Sequence, residues 1–144
     1  MAITQGLVTS FKVGLLTAQF NFGAATTQVY KIALYTSVAD LGPATTVYTT
    51  TGEVVGTGYI AGGATLTISQ APTSSGKIAF MGFATPSWSG ATLTARGGLI
   101  YLYDGLTNPA VAVLNFGADK TANNQTFSVP MPANLVDTAL IRIK

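Results

Sequence analysis

The chain contains no cysteine and no histidine, and charged residues make up only 8% of its 144 positions, where about 25% is ordinary. Without Cys or His there are no zinc sites of the usual Cys/His type. Disulfides, thiol nucleophiles and Ser-His or Cys-His catalytic pairs are excluded as well. Long hydrophobic runs are also missing. The longest uncharged stretch, residues 54–76, is interrupted by Gly, Thr, Ser and a proline, so it is not an apolar membrane span. The first residues, MAITQGL, lack a basic segment ahead of the apolar ones, and retention without export is the expectation.

Seven basic against five acidic residues give a net charge of +2. Lys12, Lys31, Lys77, Arg96, Lys120, Arg142 and Lys144 are scattered rather than striped. Nucleic-acid binding needs a basic stripe, so no nucleic-acid partner is expected, and no membrane. Against these absences stand 48% hydrophobic residues and a mean hydropathy of +0.43. That is a composition for a folded core rather than for disorder. Its length fits one domain, 1–144.

Residues 4–19 (TQGLVTSFKVGLLTAQ) carry the one helical pattern. Leu7, Phe11 and Leu15 repeat at four-residue spacing, widened by Ile3, Val8 and Leu16. Thr4 is the expected N-cap and Asn21–Gly23 the expected stop. The apolar stripe must pack either on the protein's own sheet or on a neighbouring subunit.

From residue 29 the pattern becomes extended. Val29–Thr36 alternates Tyr30, Ile32 and Leu34 with Lys31, Ala33 and Tyr35. Further strands are expected at Ala64–Ser69, Lys77–Phe83, Ala91–Ala95, Leu99–Tyr103, Ala110–Phe116, Thr126–Val129 and Thr138–Ile143. Residues 45–63 read as a long ordered loop holding the only glutamate, Glu53, and residues 117–124 as a turn. Asp104–Pro109 suggests a hairpin loop. About eight short strands over 29–144 with one short N-terminal helix indicate an all-β fold, a single β-sandwich of jelly-roll or immunoglobulin-like type.

The chemistry-bearing residues are few. Of the five carboxylates, Asp40, Glu53, Asp104, Asp119 and Asp137, four fall in expected turns, where Asp bonds its own backbone. No calcium loop or phosphate loop is present. No catalytic residues, cofactor or metal are therefore expected. The interface candidates are Leu7, Phe11 and Leu15, together with Trp88, Arg96, Tyr101 and Tyr103. Trp88 is expected between strands, as a wedge over the end of the sandwich. Arg96 can pair with Glu53 or Asp119, or cross a subunit boundary. Tyr101 and Tyr103 alternate with Ile100 and Leu102, so one set can face outward onto a protein or a sugar.

Several segments together resemble a known family. They are MAITQ with Phe11-Lys12, KIALYT at 31–36, TTVYTTTGEVVGTGYIAGG at 45–63, TARGGLIY at 94–101, AVAVLNFGADKT at 110–121 and the closing IRI. In this order they resemble small tailed-bacteriophage proteins whose genes lie among virion-structure genes. Departures are Gly98, where alanine is common, and Leu102-Tyr103, where a polar hairpin often begins. The resemblance implies a non-enzymatic virion structural protein. Within virions the chain resembles capsid decoration or cement proteins, which bind outside the major capsid protein shell as dimers or trimers. The expectation is thus a homo-oligomer on the capsid surface, made in the host cytoplasm. The alternatives are a tail, neck or baseplate component and a carbohydrate-binding adsorption module using Trp88, Tyr101 or Tyr103.

Overall fold

The computed structural model describes residues 2–144. In chain order the elements are β1 (Gly6–Leu7), α1 (Thr9–Leu16), β2 (Val29–Tyr35), β3 (Ala64–Leu66), β4 (Ile68–Ser75), β5 (Ile78–Phe83), β6 (Ser87–Tyr103), β7 (Ala110–Ser128) and β8 (Ile141–Ile143). They form a five-stranded sheet, ordered β1-β7-β6-β2-β3, and a three-stranded sheet, ordered β4-β5-β8, packed together like a sandwich. Every ladder is antiparallel. The expected all-β sandwich with one short helix is what the chain forms.

β2 lies between β6 and the edge strand β3 in the large sheet and is buried on both faces from Ile32 to Tyr35. Tyr30 and Phe83 join the two sheets, their ring centroids 5.9 Å apart. Phe22 stacks on Tyr30 at 4.6 Å, and Phe11 meets Phe20 edge-on at 4.8 Å. These rings carry the core from the small sheet to the helix. Phe11 is fully buried, so the helix docks on its own protein.

The helix is half the expected length. Gly6 and Leu7 pair with Val113 and Ala112 of β7, and the Val8 N–H donates to the Val111 carbonyl at 3.1 Å. Strand pairing thus supplies the hydrogen bonds that a first helical turn would have left open, and tertiary contact overrides the periodicity. The N-cap is Val8, without a side-chain cap, rather than Thr4. The helix stops before Asn21–Gly23. Ala18 turns left-handed (φ 59°), Gln19 N–H reaches the Gly14 carbonyl at 2.9 Å, and Ala18 N–H reaches that of Leu15 at 3.3 Å. These two hydrogen bonds make a Schellman end. Gly14 is needed for packing: a Cβ there would overlap the Phe20 ring.

The largest departure is in the second half of the chain. The expected pairs Ala91–Ala95 with Leu99–Tyr103, and Ala110–Phe116 with Thr126–Val129, are two continuous strands, β6 and β7. Residues 117–124 do not turn; they continue β7. The turn-forming residues appear as bulges instead. Phe116–Asp119 lie opposite Arg96 alone, Asn123–Asn124 opposite Thr92, and Ser89–Gly90 opposite Thr126. Gly117 (φ 77°), Asn124 (φ 50°) and Gly90 (φ 57°) supply the left-handed residues that such bulges use. Two smaller corrections concern the edges. Trp88 is inside β6, and the final strand shrinks from Thr138–Ile143 to Ile141–Ile143.

Candidate functional site

The seven expected interface residues separate into buried and exposed groups. Trp88 is 7% exposed, packed between Tyr59 and Phe127 at centroid distances of 6.0 and 6.1 Å. Tyr101 is buried, stacked on Tyr48 at 4.8 Å, with its hydroxyl donating to the Gly62 carbonyl at 2.7 Å. Phe11 belongs to the core, and Leu7 of β1 pairs with Ala112 of β7. Tyr103 is 49% exposed, with the Lys31 ammonium 4.9 Å from its ring centre. Leu15 is half-buried at the edge of a groove. Arg96 pairs internally with Asp119, Nη1 to Oδ1 at 3.4 Å, one of its two expected internal partners.

Glu53 gathers a site that the sequence reading did not assemble. Its Oε1 accepts hydrogen bonds from the Tyr59 hydroxyl and the Gly62 N–H, and its Oε2 from the Tyr48 hydroxyl, each at 2.7 Å. Tyr59 Oη in turn accepts from the Leu34 N–H at 2.9 Å, and Tyr35 donates to the Thr49 carbonyl at 2.6 Å. One carboxylate thereby ties the irregular segment 36–63 to β2. The available signal was a lone glutamate flanked by Tyr48 and Tyr59 in a Gly- and Thr-rich run. Burial, aided by the Glu53 charge, raises the Tyr101 phenol to about 12 and pushes Tyr35, Tyr48 and Tyr59 higher still. Phenols held this firmly in their neutral form are donors, and the cluster is a clamp.

Two of the open grooves are mainly apolar. One, of about 510 Å³, follows the outer side of β7 and is lined by Leu114, Phe116, Lys120, Gln125, Phe127 and Leu140 among others. β7 pairs with β1 only at Ala112 and Val113, so its outer edge beyond Asn115 has no strand neighbour. The other, of about 350 Å³, lies between the end of α1 and the small sheet. Its walls include Leu15, Phe20, Phe22, Met81, Ile141 and Ile143. Among the described residues, no three His, Cys, Asp or Glu side chains come together, and no helix is long and apolar enough to cross a membrane.

Several large apolar side chains stand in water. Leu16 is 90% exposed, Val55 97%, Ile60 81% and Leu106 88%. Compared with protein-family models, curated proteins and solved structures, the chain has no significant match.

Proposed function

We propose that the protein is a non-enzymatic structural component of a phage virion, a decoration or cement protein that binds the outside of the major capsid shell as a homo-oligomer. The observation that carries this reading is the surface. It combines few charges with exposed Leu, Val and Ile side chains presented by ordered loops. Such residues stabilise the protein little where they stand, and gain when a partner covers them. A shell offers many identical sites, so modest contacts are multiplied when an oligomer engages several of them at once. The resemblance of the TARGGLIY and AVAVLNFGADKT segments to tailed-phage virion proteins supports the same assignment.

The adsorption-module alternative is left with less. Of its three aromatic residues, Trp88 and Tyr101 are buried and serve packing, which leaves Tyr103 alone on the surface. The tail or neck alternative uses the same surface and differs in copy number. The test is co-sedimentation of the purified protein with shells assembled from the major capsid protein alone. Saturable binding that raises the temperature of shell disruption supports the proposal. A protein that stays in the supernatant at every concentration overturns it.

A further inference from the structure

Asp104 is followed by Gly105, and no other aspartate or asparagine in the chain precedes a glycine. At such a pair a peptide chain reacts readily with itself. Glycine has no side chain to shield its nitrogen, and a five-membered ring closes when that nitrogen reaches the aspartate carboxyl. No co-reactant is needed. The Gly105 nitrogen attacks Cγ of the protonated Asp104 carboxyl and a C–N bond forms. The carboxyl hydroxyl leaves as water, taking up the proton that the nitrogen gives up. Water then reopens the succinimide at either carbonyl. Opening at Cγ restores aspartate, whereas opening at the main-chain carbonyl leaves isoaspartate, with Cβ and Cγ now in the backbone.

The pair lies at the tip of the β6–β7 hairpin, where residues 104–107 are all exposed and water is at hand. Three features of the tip oppose ring closure. The Gly105 N–H donates to the Asn108 Oδ1 at 3.2 Å, as does the Asp104 N–H, and this nitrogen must give up its bond before it can attack. The Asp104 Oδ1 accepts the N–H groups of Leu106 and Asn108, each at 2.8 Å, and Oδ2 accepts the Thr107 hydroxyl at 3.1 Å. Turning Cγ toward Gly105 breaks these bonds as well. The N–H groups of Asn108 and Leu106 also hold the carboxyl below the usual carboxylate range, so the protonated form that reacts is scarce.

Asn108 is itself anchored. It takes the left-handed conformation that asparagine tolerates (φ 49°), and its carbonyl accepts the Tyr48 N–H at 2.9 Å. The two side chains are reciprocal: Asp104 holds the backbone of residue 108, and Asn108 holds the backbone of residues 104 and 105.

We propose that Asp104-Gly105 is a self-modification site held closed by the Asn108 amide, and that isoaspartate accumulates there once the bond to the Gly105 nitrogen is lost. The consequence falls on Leu106, which the intact turn holds out at 88% exposure. Isoaspartate lengthens the backbone and shortens the acidic branch. The carboxylate then no longer spans to the N–H groups two and four residues on, and the fixed turn is undone.

The test is incubation of the full chain in mildly acidic buffer, followed by peptide mapping with an endoproteinase that cuts before aspartate and not before isoaspartate. Wild type unfolded in denaturant is expected to accumulate isoaspartate at residue 104 at least about tenfold faster than folded wild type. Folded Asn108→Gly keeps a residue suited to positive φ and removes the acceptor, and is expected to react about fivefold to tenfold faster. Thr107→Ala frees one carboxylate oxygen but leaves the Gly105 nitrogen held, and is expected to stay within about twofold of wild type. Thermal unfolding checks that both variants are folded during incubation. An Asn108→Gly protein that reacts at the wild-type rate overturns the proposal, as does an unfolded chain no faster than the folded one. Equal acceleration by Thr107→Ala assigns control to the mobility of the loop and overturns the role of Asn108.

Discussion

Two irregular segments of this chain each close on one carboxylate, and they differ in what that carboxylate reaches. In Asp104–Pro109 the carboxylate of Asp104 bonds residues two to four positions away, in full contact with water. In segment 36–63 the carboxylate of Glu53 is half-buried. Through Tyr59 it reaches β2, which lies 25 positions from Tyr59 at Leu34. A local bond in water replaces hydration with little net gain, whereas a buried acceptor holding several donors cannot be removed without stranding them. The same functional group therefore shapes a turn in one place and positions a whole loop in the other.

The sharpest way to break this comparison is Glu53→Ala. It leaves two tyrosine hydroxyls and the Gly62 N–H without their acceptor, at a cost of about 3 kcal/mol. For a domain of this size that is a fall of about 10 °C in Tm, read by calorimetry. Glu53→Gln, which keeps the shape and loses the charge, is expected to recover part of it. A loss no greater than that of an Asp104 variant would erase the distinction.

Alkaline pH probes the same clamp without mutation. The buried tyrosines titrate higher folded than unfolded, so the folded state retains protons that the unfolded chain gives up. Their contribution is complete below pH about 10, the unfolded phenol value. It declines as pH rises toward about 12, where Tyr101 titrates in the folded protein. Stability measured by denaturant titration should fall across that window, and amide exchange should rise first in segment 36–63. The Asp104 loop holds no buried phenol, and its protection, after correction for base-catalysed exchange, should be unchanged.

Asp104→Ala is expected to cost about 1 kcal/mol, with greater mobility of Leu106. Arg96→Ala, which removes a 3.4 Å pair to Asp119 at the surface, should cost less than about 0.5 kcal/mol. These two lie at the small end of the series, and a large effect of either would mean that surface carboxylates matter here as much as the enclosed one.

Much of the fold could be read from the residues, because apolar alternation is local. β2, β5 and the apolar halves of β6 and β7 follow directly from it. What was hidden depends on partners distant in sequence. Gly6-Leu7 has helical spacing but is captured by β7. Gly117 and Asn124 have turn chemistry, yet across from Arg96 and Thr92 they make bulges in a strand that keeps going. Trp88 and Tyr101 were candidates for exposure, and both are taken up by the loop 36–63, through Tyr59 and through Tyr48 and Gly62. That loop was recognisable as ordered. Its organiser, Glu53, was not, because nothing in a single sequence shows which hydroxyls will converge on a carboxylate.

The comparison also bears on function. Both loops are spent on rigidity, one internally and one by holding an exposed leucine in place, which suits a part that others cover. Reconstruction of the intact virion tests this most directly. Many copies of the chain are expected on the outside of the capsid shell, with the exposed Leu and Val side chains of its loops buried in contacts. A small number of copies confined to the tail or neck, or no copies on the particle, would contradict it.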